Sequence, residues 1–184
     1  MFGRLNDKQA QTVRRFVEGR TVHDLGAGSL SLARDLIGLG AEKVVAVDCH
    51  FPERVRKTAK VEMVQRAFAD FEGCPEVAVV SWPVNWAGIG LAEIVARTPV
   101  VLYVGTNTGG TACGGDDLWD HLVTREVLAY VPDRENTLIV YGPNRATRPL
   151  YGEELAARNN DRMWMFDEAE KASQQEARAL GCAA

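Results

Sequence analysis

Four stretches of the chain hold side chains whose type and spacing could do chemistry. The first is Asp24-Leu25-Gly26-Ala27-Gly28. Its two glycines allow a tight turn and a close backbone approach to a ligand, and a helix starting just after it would present free amides at its N-terminus. The second is Asp48, which ends the apolar run Lys43 to Asp48. A carboxylate at a strand end can accept both hydrogen bonds of a ribose diol. The third is Ser81-Trp82-Pro83-Val84-Asn85-Trp86, where a side-chain oxygen sits among flat aromatic rings. The fourth is Asn107-Thr108-Gly109-Gly110, a set of substrate or lid candidates. Each stretch also has a plainer reading: a tight turn, a surface or capping acid, a packed Trp/Pro loop, and a solvent loop.

Other chemistries are disfavoured. A dinucleotide fingerprint wants a third glycine three residues after Gly28, and Ser31 stands there. A nicotinamide-dependent oxidoreductase is therefore a weak reading. Cys49, Cys74, Cys113 and Cys182 are widely spread, with no CxxC pair, and His23, His50 and His121 stand apart, so no metal site is expected. Cys113 and His121 would pair as nucleophile and base only if the helix after the glycine-rich loop folded back, and no spacing rule supports that.

The elements that would position these residues follow from periodicity. Asn6 with Gln9 reads as a capping box opening a helix over about 6–18, which Gly19 stops. This helix is expected to pack across the sheet or over a cofactor. A short strand then leads into Gly26 and Gly28, followed by a helix from about Leu30 to Leu39. Lys43 to Asp48 is nearly continuous in apolar residues, as suits a strand buried on both faces of a parallel sheet. A short helix is expected near Glu53 to Ala59, behind Pro52. Val61 to Phe68 and Glu76 to Pro83 read as the third and fourth strands. A helix from about Trp86 to Ala96 leads to a fifth strand, Pro99 to Asn107. This alternation implies right-handed crossovers and a parallel sheet. After the loop from Gly105 to Gly115 and a helix carrying Leu118, Leu122 and Val123, two apolar strands are separated only by Asp133-Arg134-Glu135, which makes them an antiparallel hairpin. The expected fold is a doubly wound α/β sheet of seven mostly parallel strands with a terminal antiparallel hairpin. Residues 1–184 read as one domain with a C-terminal helical extension over about 147–180.

DLGAG, then a helix, then VVAVD, then a terminal antiparallel hairpin resembles the class I S-adenosylmethionine-dependent methyltransferases, over roughly Thr21 to Pro143. The resemblance implies that family's strand order and S-adenosylmethionine as cofactor. It implies that Asp24 orients the cofactor's amino group directly or through water, that Gly26 and Gly28 line its methionine portion, and that Asp48 binds the ribose. The family often places an acid beside the adenine amino group after the third strand. Here that position is Ala67, with Asp70 three residues later as a substitute and the Phe68 amide available to the ring. Ser81 to Trp86 loosely resembles the loop of amino-methylating enzymes, which places Ser81, Trp82 and Asn85 as the catalytic candidates. Ser81 would supply the oxygen and Trp82 or Trp86 the ring, although Trp82 occupies the place of the first proline.

Methyl transfer needs alignment of donor and acceptor more than acid–base machinery, so the lack of a conspicuous His/Asp/Cys cluster is compatible with it. The net charge of −4 argues against a dedicated nucleic-acid coat. Arg4, Lys8, Arg14, Arg15 and Arg20 form only a modest basic group. A small-molecule acceptor is thus the first expectation. A nucleic-acid amino-methyltransferase, and a non-catalytic cofactor-binding or scaffold subunit with a protein partner, are the alternatives. No apolar run reaches a membrane span, the first residues do not read as a signal peptide, and the spread cysteines suit reduced thiols. The expected location is cytoplasmic.

Overall fold

The computed structural model describes residues 5–55, 58–83, 88–106, 114–133 and 136–144. Helix α1 (Asp7–Val17) opens on the expected capping box: the Gln9 amide donates to Asn6 Oδ1 at 2.9 Å and the Asn6 amide to Gln9 Oε1 at 3.0 Å. Then come β1 (Thr21–Leu25), α2 (Ser31–Gly38), β2 (Lys43–Asp48) and β3 (Val61–Gln65). A 3₁₀ turn at Phe68–Asp70 leads to β4 (Val77–Ser81), α3 (Gly88–Arg97), β5 (Val100–Gly105), α4 (Asp116–Leu122), β6 (Arg125–Val131) and β7 (Thr137–Asn144).

The seven strands form one sheet in the order β3-β2-β1-β4-β5-β7-β6. The first five are parallel, and β7 runs antiparallel to both β5 and β6. This is the expected doubly wound arrangement with its terminal hairpin. The period-2 alternation of the strands sends Val22, Val44, Ala46, Val79, Leu102 and Val140 to one face, where Val13 and Val17 of α1 and Leu32 and Leu36 of α2 cover them. Leu25, Val47, Val80, Val101, Tyr103 and Ile139 face the other way, under Ile94 and Val95 of α3 and Leu118, Trp119 and Leu122 of α4. Burial on both faces is why these strands read as continuous apolar runs.

Two expectations are corrected. The helix near Glu53 to Ala59 is not formed in its described residues, 53–55 and 58–59, which are turns or irregular. The third strand stops at Gln65 instead of Phe68, because Phe68 to Asp70 tighten into the 3₁₀ turn. The C-terminal extension and Asn107 to Cys113 lie outside the described residues.

Arg125 fixes the far end of α3. Its guanidinium is almost fully buried and donates to the carbonyls of Gly142 (2.7 Å), Val95 (2.6 Å), Thr98 and Pro99 (3.1 Å). The last carbonyls of a helix lack intrahelical partners and carry partial negative charge, and a planar five-donor cation satisfies several of them at once.

Candidate functional site

β1 and β4 are neighbours in the sheet, yet the chain leaves them in opposite directions: β1 leads through α2 to β2, and β4 through α3 to β5. At such a switch point the two connections diverge onto opposite faces and leave a crevice outside the carboxyl ends of the strands. A cleft of about 370 Å³ lies there, which is the size of a small-molecule site. Its walls take residues from each strand end: Leu25 and Gly26 after β1, Asp48 and Cys49 after β2, Ala67 and Phe68 after β3, and Ser81, Trp82 and Pro83 after β4, with Leu91 of α3 closing one side.

The turn after β1 depends on positive φ. Gly26 has φ +86° and Gly28 has φ +45°. The Gly26 amide donates to Val47 O at 2.8 Å, which ties the turn to β2. Asp48 braces the same turn. One carboxylate oxygen accepts from the Gly28 amide and the other from the His50 amide, both at 2.9 Å. Each oxygen keeps a second acceptor direction, so Asp48 can hold the turn and still take hydroxyl donors from the cleft.

Asp24 is placed differently. Its carboxyl is about 1% exposed, neither oxygen has a hydrogen-bond partner among the described residues, and it does not reach the cleft wall. Burial first, and the nearby charge of Asp48 second, push its pKa from an ordinary 3.8 up to about 7. The Ala33 amide, in the first turn of α2, opposes the shift without closing a hydrogen bond of good geometry.

The fourth-strand loop is strained. Trp82 has φ +49°, a left-handed conformation that costs a residue with a Cβ roughly 1–2 kcal/mol. Two hydrogen bonds hold it there: its amide donates to Val104 O at 2.8 Å, and its indole N–H to Asn136 Oδ1 at 2.7 Å. With its one side-chain donor directed at Asn136, Trp82 offers a ligand in the cleft its apolar ring. The far side of the cleft depends on Gly90. A Cβ there would land on the backbone of Phe68 and Ala69, so only glycine lets α3 seat its first turn on the 3₁₀ turn and bring Leu91 beside Phe68.

Among the residues singled out from the sequence, the fold brings Gly26, Asp48, Phe68, Ser81 and Trp82 together in one cleft. Gly28 sits behind Asp48, Asp24 lies buried beneath, and Asp70 is exposed and off the wall, so among the described residues no carboxylate lines the Ala67 side. Asn85 lies outside the described residues. Pro83, from the foreseen Trp/Pro loop, lines the cleft as well, whereas Leu25, Cys49 and Leu91 were not foreseen as lining. Leu25 and Cys49 flank foreseen residues, and a rule that strand-end neighbours line the switch point would have found them. Leu91 carries no local signal. Among the described residues no group of three or more His, Cys, Asp or Glu could hold a metal ion, and no helix is long and apolar enough to cross a membrane.

No family model and no curated protein matches the sequence. Solved structures do. A protein from Escherichia coli assigned as a methyltransferase is 11% identical, with a TM-score of 0.54 over 78% of this chain and 89% of that one. One from Pyrococcus horikoshii assigned as an RNA methyltransferase is 15% identical, with a TM-score of 0.50 over 76% and 83%. One from Lactococcus lactis assigned as a hemolysin is 13% identical, with a TM-score of 0.53 over 83% and 94%. The fold is that of the class I S-adenosylmethionine-dependent methyltransferases. The antiparallel pairing of β6 with β7 matches the expectation drawn from the tight Asp133–Glu135 connection, and the order β5-β7-β6 is the one the family resemblance implied. At these identities the likeness speaks for the fold alone.

Proposed function

We propose that the chain binds S-adenosylmethionine in the switch-point cleft and transfers its methyl group to a small, flat acceptor. The observation that carries this reading is the convergence on one cleft of a positive-φ glycine turn, a strand-end carboxylate and the Ser81–Trp82 wall. The residues fit the cofactor. Gly26 allows close backbone approach, Asp48 has acceptor directions left for a ribose diol, and Ala67, Phe68 and Leu91 give an apolar side for a purine. When bound, the cofactor supplies an activated methyl group, so the chain's task is alignment. Ser81 Oγ, half-buried at the end of β4, can accept a hydrogen bond from the acceptor, and the Trp82 ring gives it a flat wall.

A second reading is cofactor binding without turnover. It is favoured by Ala67, where the family often has an acid, and by Trp82 in place of a proline. Methyl transfer from labelled cofactor to separate pools of small molecules, RNA, DNA and protein decides between them, with Ser81→Ala alongside. Transfer to the small-molecule pool that falls at least tenfold in S81A is the expected result. Transfer to RNA or DNA alone would replace the acceptor class. Saturable binding with no transfer to any pool would leave the non-catalytic reading.

A further inference from the structure

Trp82 is held by a hydrogen-bonded chain that starts in the N-terminal helix. Its indole N–H donates to Asn136 Oδ1, in the connection between β6 and β7, and the main-chain carbonyl of Asn136 accepts from Gln9 Nε2. Gln9 is about 1% exposed. The same side chain closes the capping box through its Oε1, while Asn6, the other half of the box, donates from Nδ2 to Asp133 Oδ2 at 2.7 Å. The start of α1 is therefore bonded to both ends of the β6–β7 connection, at Asp133 and Asn136.

A capping box needs only an acceptor at its third helical position, and glutamate serves as well as glutamine. Glutamate also suits the positive end of the helix dipole. The donor half of Gln9 contributes nothing to the cap: it is turned inward, onto the backbone of the residue that holds Trp82. Asn136 in turn fixes a side chain whose backbone is already in a costly conformation.

We propose that Gln9 and Asn136 are positioning residues that set Trp82 in the cleft, so that α1 is part of the acceptor site as well as of the core. This rests on the reading of the cleft given above. Asn136 acts on the ring directly, and Gln9 acts on the ring through Asn136.

The test follows indole N–H signals of the ¹⁵N-labelled full-length chain at pH 8. The chain has four tryptophans, and Trp82→Phe identifies the Trp82 signal. In Asn136→Ala the Trp82 signal shifts and its hydrogen exchange quickens by roughly tenfold or more, as expected when a protecting hydrogen bond is lost. Asn136→Asp keeps the acceptor and restores both. Gln9→Glu keeps the cap and the helix content by circular dichroism, yet reproduces the Trp82 change in part, because an ionised carboxylate cannot donate to the Asn136 carbonyl. The Trp119 signal stays in place in all three variants, which separates the effect from general loosening. A Trp82 signal unchanged in Q9E, or lost equally in N136D and N136A, overturns the proposal. If N136A does not fold, Q9E against wild type still decides. Titration with S-adenosylmethionine is read separately: a wild-type chain that does not bind it refutes the functional reading, whereas the relay stands or falls on the Trp82 signal.

Discussion

Replacing Asp24 with asparagine should make the protein more stable at alkaline pH. The carboxyl is fully buried with no hydrogen-bond partner of good geometry among the described residues, and burial together with the Asp48 charge raises its pKa from 3.8 to about 7. The native state therefore holds a proton that the unfolded chain releases at about pH 4. Between those values the native state binds more protons, so stability falls as pH rises. The stabilisation is full below the unfolded value and is lost once pH passes the folded one. At about 1.4 kcal/mol per pH unit, the full excursion is worth at most about 4 kcal/mol, and water reaching the site would reduce it. Asparagine keeps the size and polarity and carries no charge. D24N should thus match wild type within about 1 kcal/mol at pH 4.5 and exceed it by several kcal/mol at pH 8.5. In urea, with a slope of about 2 kcal/mol/M, that is a midpoint shift of up to about 2 M. The half-buried His23, whose pKa is lowered by burial, adds an opposite trend in this range. It is present in both proteins and drops out of the difference. A D24N-minus-wild-type difference that stays flat from pH 4.5 to 8.5 would refute the reasoning, because an Asp24 with an ordinary pKa gives no slope.

Three further outcomes follow from the same geometry. Asp48→Ala should weaken S-adenosylmethionine binding about tenfold or more in a calorimetric titration, since it removes the charged acceptor and the brace on the Gly28 amide; equal affinity would remove Asp48 from the ribose role. Gly90→Ala should lower stability by about 1–3 kcal/mol in thermal melts, because the added Cβ meets backbone at Phe68 and Ala69. An ordinary mid-helix glycine would instead gain about 1 kcal/mol from alanine, so the sign of the change is the test. Arg125→Lys should cost about 3 kcal/mol or more in urea unfolding, because one ammonium cannot reach the carbonyls of Val95, Thr98, Pro99 and Gly142 together; a loss below about 1 kcal/mol would contradict the clamp.

The sequence alone determined what depends on neighbours along the chain. Apolar runs such as Lys43 to Asp48 and Val100 to Gly105 suit strands buried on both faces, since they are short and rich in β-branched valine. The short span between Val131 and Thr137 forces the reversed pair, and the Asn6/Gln9 pattern specifies a helix start, because caps act over three residues. That Gly26 and Asp48 come together in one cleft was legible because strand-end positions map onto one sheet edge. The tertiary structure decided whatever depends on distance in space. The raised pKa of Asp24 comes from burial beneath a sheet edge and from a carboxylate on another strand. Asp70 reads locally as a candidate, yet the 3₁₀ turn leaves it exposed, while Leu91 enters the cleft only because Gly90 lets α3 come close. The tie between Gln9 and Asn136 joins residues 127 positions apart, and that from Asn136 to Trp82 spans 54. No periodicity encodes such pairs. They exist because β7 inserts between β5 and β6 and carries Asn136 to the sheet edge where β4 ends.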